Sequence, residues 1–174
     1  MTREEFIAIL DREGYSHEIK GRKLIIRKAA ATNGDLHLLD VPSIPPNIVF
    51  ETEGNLSVPF IVSIPKGTEF RNTGSIHLDA LLNLSPDAKF NNTDSIWMEK
   101  MEALPSGLVF NNKGSIQLKR IKFIPDNVAF NNGGGLYINM LKTGFKNWKV
   151  NHEGIEGIDD LKLLRHLVKQ GMLI

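Results

Sequence analysis

The sequence contains no cysteine among its 174 residues. This absence excludes disulfide frameworks, thiol nucleophiles and zinc sites built on thiolates. The chain also lacks any apolar run near the ~18 residues that a membrane-spanning helix needs, so no membrane partner is expected. The N-terminal stretch MTREEFIAIL is acidic and helical in pattern rather than typical of a secretory signal. A reduced, cytoplasmic compartment is therefore expected.

An excess of charge of one sign is also lacking, because the formal net charge is +1 at pH 7. The charges are nevertheless unevenly distributed along the chain. Residues 35–104 carry four basic and ten acidic residues, a net of −6, whereas residues 105–174 carry ten basic and five acidic residues, a net of +5. If sequence order follows the long axis, as in a solenoid, the molecule is polarised from one end to the other.

A repeat of 20 residues runs through the chain, with the consensus I-P-x-G-x-x-F-N-N-x-G-S-I-x-L-x-x-L-x-x. Phenylalanine recurs at every twentieth position, and asparagine follows it two positions later in four copies. The two series are Phe50, Phe70, Phe90, Phe110 and Phe130, and Asn72, Asn92, Asn112 and Asn132. Self-similarity at a fixed period is the sequence signature of a repeat architecture.

Each copy contains two short stretches in which apolar and polar residues alternate, a pattern typical of β-strands. Proline and glycine turn sequences separate them. Twenty residues leave no room for a full helix beside two strands, so we expect the chain to return above itself once per repeat. The prediction is a mainly β fold: a parallel β-solenoid of about six turns. The phenylalanines would then form an internal ladder, and the asparagines a hydrogen-bonded column at one corner.

The leucine-rich horseshoe is the alternative architecture, because its repeats can also be about twenty residues long. Its pattern places asparagine three residues after the second leucine of an L-x-L pair. In this sequence that position holds Val41, Ile61, Leu81, Met101, Ile121 and Leu141. The solenoid is therefore favoured, and a horseshoe-like curvature stays open.

The ends of a solenoid expose strand edges and apolar core, so each end needs a cap. Residues 1–28 predict an N-terminal cap, with a helix begun by a capping box of Thr2 and Glu5, then a hairpin. The repeats occupy residues 29–150. Residues 151–174 predict a C-terminal helical cap whose helix begins at Asp159. The three segments are expected to form one structural domain.

The repeat consensus, the E-E-F-I and E-G-Y sequences near the start and the G-I-D-D-L-K-L-L sequence of residues 157–164 carry a resemblance. Over nearly its whole length the chain resembles uncharacterised short-repeat, leucine-rich-repeat-like proteins of phages and bacterial mobile elements. The resemblance implies no agreed activity, so no catalytic residue can be carried over. It implies a phage setting, and hence an inhibitor of a bacterial protein or ribonucleoprotein, such as a CRISPR effector, in the host cytoplasm.

Catalytic and metal-binding patterns are not indicated, and neither a cofactor nor a small-molecule substrate is expected. His37 and His77 share one repeat phase, but two turns of about 4.8 Å place them about 10 Å apart, too far to share a metal ion. His152 and Glu153 lack the second histidine of a zinc-binding H-E-x-x-H helix. We therefore expect a non-enzymatic protein.

A candidate binding surface lies on the outward face of the second strand of each copy. Side chains alternate along a strand, so the residues that flank the buried pairs form one outward column. Exposed aromatic residues are typical anchors of a binding surface; the alternative is that they cover the sheet or pack against a cap. The predicted site combines this column with adjacent basic residues: His77, Trp97, Gln117, Tyr137, Lys119, Arg120, Lys122 and Lys142.

Two further functions stay open. Basic residues beside an aromatic side chain can contact a nucleic-acid backbone while a base stacks, which predicts a nucleic-acid-binding module in the basic C-terminal half. A purely structural or self-assembling repeat protein is the third hypothesis. The basic hairpin residues near the N-terminus favour a different role, protection of a strand edge by charge. They are Lys20, Arg22, Lys23, Arg27 and Lys28.

Overall fold

The computed structural model describes residues 1–29, 34–122, 124–125, 127–137 and 149–150. In these ranges the chain is a mainly β solenoid of about five turns, preceded by one short helix. The predicted fold class is therefore confirmed, and the solenoid rather than the horseshoe is the architecture. The predicted C-terminal helical cap, residues 151–174, lies outside the described residues. None of the described helical residues forms a segment long and apolar enough to cross a membrane.

Helix α1 (Arg3–Arg12) begins at the predicted capping box. The Thr2 hydroxyl accepts a hydrogen bond from the Glu5 amide at 3.1 Å, and the Glu5 carboxylate accepts one from the Thr2 amide at 2.8 Å. Two amide groups that the helix itself cannot pair are thereby satisfied. Phe6 and Leu10 lie one helical turn apart and are fully buried in the hydrophobic core, so α1 covers the first end of the solenoid.

A hairpin connects the helix to the repeats. Strands β1 (Tyr15–Lys20) and β2 (Lys23–Ala29) pair antiparallel, as predicted, and Gly21 adopts a positive φ of 59° in the turn between them. Strand β2 then pairs in parallel with the repeat strand Ile48–Phe50, with Ile26 beside Phe50. The hairpin is therefore the first layer of the solenoid sheet.

Short strands follow through the repeats, most of them two residues long. They are β3 (Leu36–His37), β4 (Ile48–Phe50), β5 (Leu56–Ser57), β6 (Ser63–Ile64), β7 (Glu69–Phe70), β8 (Ile76–His77), β9 (Asn83–Leu84), β10 (Lys89–Phe90), β11 (Ile96–Trp97), β12 (Val109–Asn112), β13 (Ile116–Gln117), β14 (Ala129–Asn132), β15 (Leu136–Tyr137) and β16 (Lys149–Val150).

Three sheets run along the solenoid. Sheet A has the order β1-β2-β4-β7-β10-β12-β14-β16, sheet B the order β15-β13-β11-β8-β5-β3, and sheet C consists of β6 and β9. In all three sheets the repeat strands pair in parallel with the residue twenty positions away, as Phe70 does with Phe90. Sheet C was not predicted, because each of its strands contributes a single inward apolar residue, Ile64 or Leu84, beside a proline-containing turn.

The five phenylalanines of the repeat form the predicted internal ladder. All five side chains are fully buried, and successive rings stack with centroids 4.8–5.4 Å apart. This spacing is close to the distance between neighbouring strands, so each ring stacks on the ring of the next turn.

The asparagine column differs in one respect from the prediction. The four side chains are buried, but each amide nitrogen donates to a backbone carbonyl of its own turn, two residues later, and not to the next asparagine. Asn72, for example, donates to the Gly74 carbonyl at 2.6 Å. The ladder between turns belongs instead to exposed neighbours, since Asn131 donates to Asn111 at 2.9 Å. The buried amides therefore hold the corner of each turn.

The close approach of successive turns favours glycine at this corner, where Asp94 is the one larger residue among the described turns. A Cβ atom added to Gly74 would lie 2.5 Å from the backbone carbon of Gly54, and one added to Gly134 would lie 2.7 Å from that of Gly114. A side chain at Gly74 or Gly134 would therefore require the backbone of one turn to shift.

The first strand of sheet B has a free edge, and the N-terminal hairpin closes it. The amides of Leu36 and Leu38 bond to the following turn, so the peptide groups of His37 between them face the other way. The Tyr15 hydroxyl donates to the His37 carbonyl at 3.0 Å and accepts from the His37 amide at 3.1 Å. One side chain thus satisfies both groups of an edge that would otherwise invite another strand.

The ladder predicts that the phenylalanines contribute unequally to the stability of the protein. Phe90 stacks on a ring on each side, whereas Phe50 stacks only on Phe70. Phe90→Ala should lower the free energy of unfolding by about 3–5 kcal/mol. Phe50→Ala should cost about 0.5–1.5 kcal/mol less, because it removes one aromatic pair fewer. Chemical denaturation of both variants measures the difference, and a Phe90→Ala variant as stable as the parent contradicts the ladder.

Candidate binding surface

The outward face of sheet B carries the predicted column. The pairing register places His37, Ser57, His77, Trp97, Gln117 and Tyr137 side by side on consecutive strands. Ile96 and Met98, on either side of Trp97 in the chain, are fully buried. The column therefore alternates with the core, as a strand requires. His37 is exposed, and the other five side chains are half-buried.

Trp97 lies at the centre of a small cluster on this column. The His77 ring, one turn earlier, stacks on the indole with centroids 5.7 Å apart and planes inclined by 14°. The ammonium group of Lys119, one turn later, lies 5.7 Å from the indole centroid, within the range of a cation–π contact. The Glu99 carboxylate accepts a hydrogen bond from that ammonium group and holds it above the ring.

The two ring contacts of this cluster lie on the faces of the indole and not on its edge. His77 belongs to the preceding turn and Lys119 to the following turn. Rings that stack along the column have their planes roughly perpendicular to the column axis, so each face of the indole points towards one neighbouring turn. The two faces of Trp97 are therefore covered from opposite sides. A partner can pack against the edge of the indole, whereas a nucleobase needs an open π-face for stacking.

The other predicted site residues do not all lie on one face. Gln117 stands between Trp97 and Tyr137 on the column. Arg120 is exposed in the turn that follows sheet B, and Lys122 lies beyond that turn, past the buried Ile121. Lys142 lies outside the described residues.

The basic cluster is partly neutralised by acidic residues one turn earlier. Lys119 pairs with Glu99, and Lys122 pairs with Glu102 at 2.6 Å. Both pairs join residues that are twenty positions apart, so alignment of the repeats could have predicted them. The predicted site did not include Glu99 and Glu102, because residues of adjacent turns become neighbours only through stacking.

Several basic hairpin residues are engaged in an ion-pair network across the outward face of sheet A. Glu69 is only 7% exposed and pairs with Lys23 at 3.1 Å and with Arg71 at 2.9 Å. Arg27 joins Glu18 to Glu51 and so connects the hairpin to the first repeats. The network consists of Glu18, Lys20, Lys23, Arg27, Glu51, Glu69 and Arg71. It fixes the cap on the solenoid.

The pKa values of the carboxyl groups reflect this network. Burial of Glu69 opposes ionisation, but hydrogen bonds from Arg71 and Lys23 outweigh it and lower the pKa of the carboxyl. Hydrogen bonds from Lys20 and Arg27 likewise lower the pKa of Glu18. Both groups therefore stay ionised to lower pH in the folded chain than in the unfolded chain.

An exposed apolar patch was missed in the sequence. Leu39, Phe60, Val62 and Leu82 are 53%, 63%, 45% and 52% exposed, and they lie at or just beyond the turn that follows sheet B. Alignment of the repeats could have revealed this patch, because later turns carry charged residues at the positions where these turns carry apolar ones.

Comparison of the chain with protein-family models, with curated proteins and with solved structures finds no match. In the described ranges, no group of three or more histidine, aspartate or glutamate residues is placed to hold a metal ion.

The ion-pair network predicts an acid-sensitive contribution to stability. Because the folded-state pKa of Glu69 is lowered, its contribution is complete above the ordinary glutamate pKa of about 4.3. It is lost as the pH falls through the lowered folded-state value. Glu69→Gln should therefore lower the melting temperature at pH 7, and the difference from the parent should shrink below about pH 4.

The matched control for this prediction is Glu53→Gln, which changes an exposed carboxyl on a neighbouring turn. It should leave the free energy of unfolding at pH 7 within about 0.5 kcal/mol of the parent value. A destabilisation by Glu69→Gln that is the same at pH 7 and pH 3 would show that packing, and not charge, is lost.

Proposed function

We propose that the protein is a non-enzymatic binding protein that recognises a macromolecular partner, chiefly a protein, through the aromatic column of sheet B. The column is the set His77, Trp97, Gln117 and Tyr137, with Lys119 beside it. The observation that carries the proposal is the cluster around Trp97, in which His77 and Lys119 hold the indole and Glu99 holds Lys119. An aromatic residue fixed in this way loses little side-chain entropy on binding, which is a property of interface anchors.

The repeat does not need an aromatic residue at this position. Ser57 and Gln117 occupy the same phase on neighbouring strands with the same register. A tryptophan in the column therefore adds nothing that the fold requires, and surface tryptophan and tyrosine are enriched among the residues that dominate binding energy.

A protein partner is favoured over a nucleic acid by two features of the cluster. The faces of Trp97 are covered, so a base has no open indole face for stacking. Two of the predicted phosphate-binding residues, Lys119 and Lys122, are already paired with carboxylates, which weakens their attraction for a phosphate backbone.

A more specific form of the proposal rests on the resemblance to short-repeat proteins of phages and mobile elements. In that setting the protein would be an inhibitor of a bacterial target, such as a CRISPR effector, in the cytoplasm of the host. The partner would then be a bacterial protein or ribonucleoprotein, and binding alone would block its activity.

The proposal predicts that one substitution on the column weakens binding without unfolding the chain. Trp97→Gln introduces the residue that Gln117 already provides in the same phase, so the fold should tolerate it. Binding of a partner captured from bacterial lysate should weaken by about 2 kcal/mol, which is about 30-fold in Kd. Tyr137→Ala should act in the same direction, whereas Val109→Ala on sheet A is the matched control and should bind like the parent.

Nuclease treatment and salt distinguish the two classes of partner. A captured protein that survives nuclease and binds with weak salt dependence supports the proposal. Retention of nucleic acid, with a salt slope that falls by about one unit for each of Lys119, Arg120 and Lys122 replaced by alanine, would support the nucleic-acid module instead. Unchanged binding of the partner by Trp97→Gln and Tyr137→Ala would exclude this column as the site.

A further inference from the structure

The apolar patch beyond sheet B is organised in two columns that stack along the solenoid. The first, here called the corner column, consists of Asp40, Phe60, Ala80 and Lys100. The second, the flanking column, consists of Pro42, Val62, Leu82 and Glu102. Val62 and Leu82 are stacked directly, since the Leu82 amide donates to the Val62 carbonyl at 2.9 Å. The centre of the patch is therefore apolar over two adjacent turns.

The fold does not demand apolar residues in these columns. Arg120 continues the corner column and Lys122 the flanking column, and both lie exposed on the same solenoid framework. Phe60, at 63% exposed, nevertheless leaves most of a large apolar side chain in water. A contiguous apolar patch on an otherwise charged surface indicates contact with another macromolecule.

The order of residues in the corner column is complementary to its own reverse. When a second copy is placed antiparallel on this column, the acidic residue of each copy faces the basic residue of the other, and the large apolar residue faces the small one. Asp40 would then meet Lys100 of the second copy, and Phe60 would meet Ala80. The flanking column adds a Val62–Leu82 contact on each side of the same axis. A twofold axis between the second and third turns produces all these contacts twice, as an isologous interface requires.

We propose that the chain forms an antiparallel homodimer through the corner and flanking columns. Phe60 of each copy packs beside Ala80 of the other, and two Asp40–Lys100 ion pairs flank the apolar centre. The interface spans about three turns, or about 14 Å along the solenoid. It lies in and just beyond the turns that follow the strands of sheet B, so each copy keeps its Trp97 column outward. The inference goes beyond the proposed function and does not depend on it.

The charge pattern allows a reciprocal test. Asp40 and Lys100 lie three turns apart in one chain, and neither forms an ion pair with any residue in the described ranges. They can meet only between copies. Asp40→Lys alone and Lys100→Asp alone should each weaken the dimer by about tenfold or more, because like charges then face each other. The double variant should restore dimerisation, because the opposite charges meet again.

The matched control is the pair Glu53→Lys and Lys113→Asp. These residues are also exposed, in one repeat phase, and three turns apart, but they lie outside both columns. Neither single reversal nor their combination should change the association. Phe60→Lys tests the apolar centre, and the fold should tolerate it, because Lys100 occupies the same phase.

Sedimentation equilibrium of the full chain gives the readout. The parent should have twice the chain mass of 19.5 kDa at about 100 μM, where an interface with a Kd of about 10 μM is mostly occupied. Phe60→Lys should be monomeric, and circular dichroism verifies that it is folded. A parent that stays monomeric overturns the proposal. A dimer that Phe60→Lys leaves intact, or that the double charge reversal fails to restore, overturns the antiparallel interface.

Discussion

Parallel backbone pairing between residues twenty positions apart is the constraint on which the rest of the structure depends. Each short strand contributes few hydrogen bonds, so no turn is stable without its neighbours. The pairing brings identical phases into register, which stacks the phenylalanine rings 4.8–5.4 Å apart and places Gly74 against Gly54. The ladder and the close corners in turn exclude any other repeat length, because one extra residue would move every later side chain out of its column.

The same constraint separates the residues that build the fold from those that are free to serve a function. Most inward columns hold one residue type or similar apolar types, as the phenylalanine ladder does, although Thr68 is buried in a column that is otherwise apolar. Outward columns vary from turn to turn, and the variation is not random. Trp97 stands in a column that holds serine and glutamine on other turns, and Phe60 interrupts one that ends in basic residues. Trp97 lies on sheet B and Phe60 lies in the turn that follows a strand of that sheet, so one solenoid can offer two separate contact surfaces.

Much of this architecture was predictable, because a 20-residue period leaves few ways to bury the apolar residues. The solenoid, the phenylalanine ladder and the outward position of Trp97 follow from phase alone, and the capping box of Thr2 and Glu5 follows from the local spacing of these two residues. Sheet C escaped prediction because each of its strands places only one apolar residue in the core. The pairing of Lys119 with Glu99 escaped because the two residues meet only through stacking. The acceptor of each buried asparagine amide depends on the exact path of the corner, which the sequence pattern does not encode.

Deletion of one repeat tests the stacking register most directly. Removal of residues 91–110 joins Phe90 to Asn111, which is the residue type that followed Phe90 before, so every column stays in phase. This 20-residue deletion should retain the circular dichroism spectrum of the parent and unfold in a single thermal transition. Removal of residues 91–109 deletes one residue fewer and shifts all later columns, so it should lose the cooperative transition. Equal unfolding behaviour of the two deletions would contradict the register on which this structure is built.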